Sequence, residues 1–266
     1  MSEKIGVGII TKDRPQFLKK LLDSIDGCNW LDLIIINDGD PFECPGYNYY
    51  IHTNETNLGV AASKNKAMKH LLDIGCDHIF LIEDDMFIKD QNIFQAYINA
   101  SKKSGIQHFN FSQHGFANKI RNNVGEIIAN PKITVRYDNT GISFYQHCVG
   151  SFSYYSRKCL EDVGLMDERY YNACEHVDHT YEIIKKGYHP PFWWFADIEN
   201  SWEYIGDDGW SFETSSICSN PSFTEYVKKA DNIFLKKHGH LPTQTHLVEM
   251  DDFGKYLKEI KKKWTI

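Results

Sequence analysis

"IFLIEDDMFI", residues 79–88, is the stretch on which the fold of this chain turns. Four apolar residues run into Glu83, Asp84 and Asp85, and apolar residues resume at Met86. His78–Ile82 reads as a strand buried on both faces, finishing at the acids. Adjacent carboxylates repel one another, and burying them without partners is costly. Positive charge therefore belongs at this strand end. Side chains alternate along a strand, which sends Glu83 and Asp85 one way and Asp84 the other. A hard cation on the first side, ligated by oxygen alone, would be Mn²⁺ or Mg²⁺ and would also contact phosphate oxygens. Asp84 would then accept hydrogen bonds from hydroxyls on the other side. The rival reading is neutralisation by lysine or arginine. Only Lys89 lies close in sequence, which favours the metal.

Working outward, Ile5–Thr11 reads as a β-branched strand, and Pro15 suits the first turn of a helix. Phe17, Leu18, Leu21, Leu22 and Ile25 give that helix one apolar face. Leu31–Asn37 and Tyr49–Thr53 read as further strands. A helix runs from the Asn57–Gly59 turn to about Leu72, with Gly75 ending it. Gln91–Lys103 reads as helix and Gln107–Ser112 as strand. This alternation predicts an α/β layered sheet. Beyond Gly115 the spacing predicts strands at Ile133–Tyr137 and Ile142–Tyr155. Helices follow at Arg157–Val163, Ala173–Lys186, Phe223–His238 and Asp252–Trp264. No internal repeat or linker interrupts the chain, so one continuous domain with C-terminal helices is expected.

Composition narrows the function. The chain has 266 residues and a net charge of -7, which argues against a nucleic-acid binder. No apolar run is long enough to span a bilayer, and MSEKIGVGII is too short and mixed for a signal peptide. Seven cysteines without a CxxC pair read as reduced thiols, and the expected location is cytoplasmic.

Ligands of open α/β sheets sit beyond the carboxyl ends of the strands. Here those ends read Thr11-Lys12-Asp13-Arg14, Asn37-Asp38-Gly39-Asp40 and Glu83-Asp84-Asp85. A second acidic group occupies "NACEHVDHTYEIIKKGY", residues 172–188. On a helix, Val177, Tyr181 and Ile184 share one face, while Glu175, Asp178 and His179 share the opposite one. The pattern predicts a helix packed on its apolar side that presents two carboxylates and an imidazole, with Gly187 as its stop. No HExxH zinc pattern is present.

In this order, "GVGIITKDRPQFLKKLLDSI", "LIIINDGD", "NLGVAASKNKAM", "FLIEDDMFI" and "VGSFSYYSRKCLEDVGLMDERYYNACEHVDHTYEIIKKGY" resemble the family 2 glycosyltransferases of GT-A fold, over roughly residues 5–190. The resemblance implies a Rossmann-like mixed sheet flanked by helices. It implies a nucleotide-binding half at 1–112, an acceptor half at 113–222 and a helical extension at 223–266. Thr11, Asp13 and Arg14 would line the base and ribose of a nucleotide-sugar, with Asp38 on the base. Lys64 stands where the family usually has an arginine near the nucleotide. Asp84 would hold the ribose. Asp85 would carry a metal bridging the diphosphate, helped by Glu83, where the family more often has Asp.

The family's acceptor helix commonly reads EDxD, whereas this chain reads Glu175-His176-Val177-Asp178. Glu175 becomes the preferred base, then Asp178, with His176 third. The implied activity is inverting transfer of a sugar from a nucleotide-diphosphate donor to a hydroxyl of a glycan or lipid-linked glycan. Uridine is the expected base.

Two other functions compete. A sugar-1-phosphate nucleotidyltransferase would want a glycine-rich phosphate loop after strand one, where this chain has TKDRP. A carbohydrate-binding protein could use Trp193, Trp194, Trp202 and Trp210 as stacking platforms, although packing in the core is the commoner fate of tryptophan. The C-terminal "DDFGKYLKEIKKKW" places Phe253, Tyr256, Leu257, Ile260 and Trp264 on one face beneath a lysine rim. That face suits an anionic membrane surface or packing on the domain. His238, His240 and His246 are candidates for a late metal ligand.

Overall fold

Residues 3–42, 49–113, 117–191, 194–208, 215–245 and 248–264 are described by the computed structural model. The first half alternates as the sequence predicts: β1 (Ile5–Thr11), α1 (Pro15–Ser24), β2 (Leu31–Asn37), β3 (Tyr50–Thr53), α2 (Val60–Asp73) and β4 (His78–Glu83). There follow β5 (Met86–Ile88), α3 (Ile93–Ser104) and β6 (His108–Asn110). The second half holds β7 (Lys119–Arg121), β8 (Ile127–Ala129), β9 (Ile133–Tyr137), β10 (Thr140–Tyr145) and β11 (Phe152–Ser156). It continues through α4 (Arg157–Val163), α5 (Glu175–Lys185), β12 (Phe195–Ile198), β13 (Ile205–Asp207), α6 (Phe223–His238) and α7 (Met250–Trp264).

The main sheet has the order β3-β2-β1-β4-β11-β6. Strands β1 to β4 run parallel, whereas β11 is antiparallel to both β4 and β6. The register Ile10↔Glu83 sets the end of β1 beside the end of β4. Alternate residues of the parallel strands feed two cores. Val7, Ile9, Ile35, Phe80 and Ile82 meet α1 and α3 on one face, while Ile34, Ile36, Ile79 and Leu81 meet α2 on the other. This two-sided burial explains why these strands read as continuous apolar runs.

The expected strand over 142–155 is two strands in different sheets. β10 pairs with β9 and β12, whereas β11 joins the main sheet. Between them lies Gly150 at φ +81°, a conformation that L side chains rarely adopt and that ends strand geometry. The pairs β5–β13 and β7–β8 form small antiparallel ribbons.

Helix α7 uses its apolar face inside the molecule. Phe253, Leu257 and Ile260 join the core, and Trp264 stacks on Tyr188 with centroids 4.3 Å apart. Of the face offered to a membrane, Phe253, Leu257, Ile260 and Trp264 pack on the domain as the alternative expects, while Tyr256 stays exposed. No helix among the described residues is long and apolar enough to cross a membrane.

Candidate active site at the strand ends

Residues from β1, α2, β4 and α5 meet above the carboxyl edge of the sheet. Arg14, leaving β1, pairs with Asp84, and its second terminal nitrogen lies 3.3 Å from Asp85 Oδ2. Thr11 Oγ1 donates to Asp84 Oδ2 at 2.7 Å. Asp84 is fully buried, so its oxygens hold Thr11 and Arg14 in place and offer no exposed atom to a ribose. Burial pushes its carboxyl up to about 7, against the pull of Arg14 and Thr11.

Lys64, from α2, is 1% exposed and reaches three acceptors at once. Its Nζ lies 2.9 Å from Glu83 Oε1, 3.0 Å from Glu175 Oε1 and 3.0 Å from the Gly150 carbonyl. Three acceptors satisfy the three donors of an ammonium group. Burial works against the charged amine, but Glu83 and Glu175 outweigh it and raise the Lys64 pKa. For Glu175, burial pushes up while Lys64 and then His176 pull harder, holding its carboxyl well below the usual range. One lysine does not neutralise two acids, and burial raises Glu83.

The acids at the end of β4 thus have cationic neighbours, contrary to the local count that offered only Lys89. Parallel pairing of β1 with β4, and the packing of α2 across both, deliver Arg14 and Lys64 from distant sequence. Lys89 instead donates to the Trp202 carbonyl at 2.9 Å. Four carboxylates still face two cationic side chains. Asp85 Oδ1 is buried without a hydrogen-bond partner among the described residues. An orphaned carboxylate oxygen beside surplus negative charge fits a hard divalent cation.

Two neighbouring cavities share Arg14 and Glu83. The larger, about 280 Å³, is lined by Asp85, Ser151, Glu175 and His176 among others. The smaller, about 100 Å³, carries Thr11, Asp38, Asn57 and Tyr171. Glu83 and Asp85 line the larger cavity, whereas Asp84, in the turn after β4, lines neither and shares Arg14 with Asp85. Asp38 is nearly buried, and its carboxylate accepts from Asn54 Nδ2 and the Leu58 and Gly59 amides at 2.7–2.8 Å. Asp13, at φ 53°, accepts from the Asp40 amide at 2.8 Å and holds the loops after β1 and β2 together.

Helix α5 inverts the expected polarity. Glu175, Asp178, His179 and Ile183 are buried, while Val177 and Tyr181 are half-buried against Ala230 and Phe234 of α6. The helix is packed on both sides, because α6 covers the flank that the apolar pattern assigned to the domain. Asp178 lines neither cavity. Its oxygens meet Lys237 Nζ at 2.7 Å, His238 Nε2 at 2.8 Å and the Tyr170 hydroxyl at 3.1 Å. Asp178 therefore ties α5 to α6 and stands apart from both cavities, whereas Glu175 lines the larger one.

His176 Nδ1 lies 3.3 Å from Glu175 Oε1, and Nε2 lies 3.1 Å from the Cys148 carbonyl. Gly150 makes room for this ring, since an added Cβ would come within 2.6 Å of His176 Nδ1. Both ring nitrogens face acceptors, whereas none of the Lys64 and His176 contacts uses Glu175 Oε2. Of the three candidate bases, Glu175 offers the better placed atom.

His238 sits with Asp178 and Glu182, their ligand atoms within 4.8 Å of one another. Lys237 Nζ contacts both carboxylates as well, at 2.7 and 3.3 Å. His240 contacts the Tyr181 hydroxyl at 3.1 Å. Neither histidine lines the cavity of Asp85, and His246 lies outside the described residues. Trp194 is buried and Trp202 exposed, with Trp193 and Trp210 outside the described residues.

Several residues of the site carried no readable signal. The segment Ser215–Cys218 and Phe223 line the larger cavity without a recognisable motif. Tyr171 and Asn172 enter both the loop before α5 and the α2 start, where the Val60 amide donates to the Tyr171 carbonyl at 2.8 Å. Asp208 donates its amide to the Asp85 carbonyl at 3.1 Å, a neighbour set by β5–β13 pairing. Ser151 follows the noted Gly150, and its buried Oγ lacks a partner among the described residues.

The fold is a mixed α/β one, similar to that of GT-A glycosyltransferases. Its sequence is 25% identical over 233 residues to an uncharacterized glycosyltransferase of Acanthamoeba polyphaga mimivirus, covering 80% of this chain and 85% of that one. The fold is similar to the mannosyltransferase PcManGT of Pyrobaculum calidifontis, solved with GDP-Man and Mn²⁺. That match has a TM-score of 0.50 and 11% identity, over 71% of this chain and 54% of that one. It is also similar to a GalNAc-T structure with UDP, GalNAc and Mn²⁺, with a TM-score of 0.54 and 11% identity. That alignment covers 97% of this chain and 54% of the other. The chain spans about half the length of these two solved structures. No family model matches it.

Proposed function

We propose that this chain is a metal-assisted glycosyltransferase of the family 2 kind. It would move a sugar with inversion from a nucleotide-diphosphate donor, with UDP the expected carrier, to a glycan or lipid-linked glycan hydroxyl. The observation that carries the reading is Asp85 Oδ1, buried without a partner among the described residues, on a residue that lines the same cavity as Glu175. The mimivirus relative supports the same class, as do the two solved neighbours, one bound to GDP-Man and the other to UDP and GalNAc, each with Mn²⁺.

Asp85 would hold Mn²⁺ or Mg²⁺, with Glu83 alongside through the oxygen that Lys64 does not occupy. Such an ion supplies charge stabilisation for a leaving diphosphate. Arg14 stands between the two cavities and adds a fixed positive charge there. The nucleoside would lie toward Thr11 and Asp38, in the half formed by residues 1–112, with Asp13 and Asp84 shaping that wall. The acceptor would enter through 113–222, and 223–266 would pack against both halves. Glu175 orients the attacking hydroxyl and takes its proton, while Lys64 fixes the carboxylate and His176 buttresses it. A base and a leaving group on opposed sides of the sugar give a single displacement.

The nucleotidyltransferase reading gains no observation of its own, and the described tryptophans form no common stacking platform. Incubation with a panel of nucleotide-sugars should release nucleoside diphosphate only when Mn²⁺ or Mg²⁺ is present. Formation of nucleotide-sugar from sugar-1-phosphate and nucleoside triphosphate, without diphosphate release from the panel, would overturn the proposal.

A further inference from the structure

The β7–β8 hairpin is the one conspicuous apolar projection among the described residues. Ile120 is 46% exposed, Val124 78%, Ile127 53% and Ile128 42%. Cross-strand register sets Ile120 opposite Ile128 and Arg121 opposite Ile127, so aliphatic side chains occupy both faces of the ribbon. Val124 stands at the turn, where the Asn122 side chain accepts from the Val124 and Glu126 amides at 3.0 and 2.9 Å. The Arg121 guanidinium donates to the Gly125 carbonyl at 2.8 Å and braces the same turn. An ordered hairpin that holds apolar groups in solvent marks a contact surface.

Charge selects the partner. Lys119 and Arg121 lie on the same ribbon, against the single acid Glu126 within residues 117–129, in a chain whose net charge is -7. Basic residues on the strand behind an aliphatic tip match the boundary between anionic headgroups and acyl chains, where lysine and arginine stay at headgroup depth. We infer that the β7–β8 hairpin docks this protein on an anionic lipid surface. The hairpin is also joined to the larger cavity. Asn118, at its base, donates to the Ser112 carbonyl and, at 2.7 Å, to the carbonyl of His147, next to the cavity residue Cys148. The docking surface differs from helix α7, whose Phe253, Leu257 and Ile260 are already buried in the domain, and it does not depend on the transferase reading.

Co-sedimentation with phosphatidylcholine vesicles containing about one-third phosphatidylserine tests the inference. The full chain should pellet with these vesicles, not with pure phosphatidylcholine, and release as salt is raised. Val124→Asp with Ile127→Asp should lower the bound fraction about tenfold or more, while Lys119→Ser should lower it several-fold. Val124 and Ile127 are solvent-exposed, so the melting transition of the double Asp variant should stay that of the parent chain. Equal binding by the Asp variant, or absence of binding to anionic vesicles, would overturn the inference. So would a concentration-dependent dimer that the Asp substitutions abolish, since the hairpin would then face a second copy.

Discussion

Lys64 is the residue on which the electrostatics of the site depend, since its amine is shared by Glu83, Glu175 and the Gly150 carbonyl. Removing one member of a buried ionic cluster leaves charge uncompensated, at a cost of about 3–5 kcal/mol. Lys64→Met should lower unfolding free energy by that amount at neutral pH. The acid dependence has a definite sign. Glu175 is held below its ordinary value of 4.5, so its contribution is present above that pH and fades as pH falls through and below it. In Lys64→Met the two glutamates lose their partner and protonate readily, so acid relieves the variant. Urea melts at neutral pH and near pH 4 should show a gap between parent and variant that narrows in acid. A gap below about 1 kcal/mol at neutral pH would mean that the cluster relaxes without its lysine.

Helix α5 shows what an element's pattern tells and what it hides. Periodicity defined the helix and put Glu175 and Asp178 on one face, but it could not reveal that this face is buried. Lys64 of α2 meets Glu175 there, while α6, starting at Phe223 well away in sequence, covers the other flank and sends Lys237 and His238 to Asp178. One turn of helix thus separates two acids with different work. Glu175→Gln should reduce turnover by about 10²–10⁴ with donor affinity nearly unchanged. Because its carboxyl lies low, the acid limb of kcat/KM should fall below pH 4.5 and vanish in the Gln variant. Asp178→Asn should act mainly on stability, by loosening α5 from α6. If Asp178→Asn abolished turnover in a folded protein while Glu175→Gln remained active, the assignment of the base would move one turn along the helix.

At the scale of the whole molecule, the sheet was legible because parallel strands covered on both faces repeat one signature: an apolar run, a polar end, then a helix. β1, β2 and β4 match their sequence readings to within a residue. Strands β5, β12 and β13 have three or four residues each and exist through their partners, so their own sequences could not announce them. The acids of the site were legible for the same reason as β4. Their counter-ions were not, since Arg14 and Lys64 arrive through strand order and helix packing. The metal assignment now rests on the surplus of negative charge and on Asp85 Oδ1, and it can be put to a direct test. Calorimetric titration of UDP into the chain should give binding with Mn²⁺ that weakens at least about tenfold after chelation, and Asp85→Asn should remove the difference. Equal UDP affinity with and without the metal in the parent chain would contradict the account.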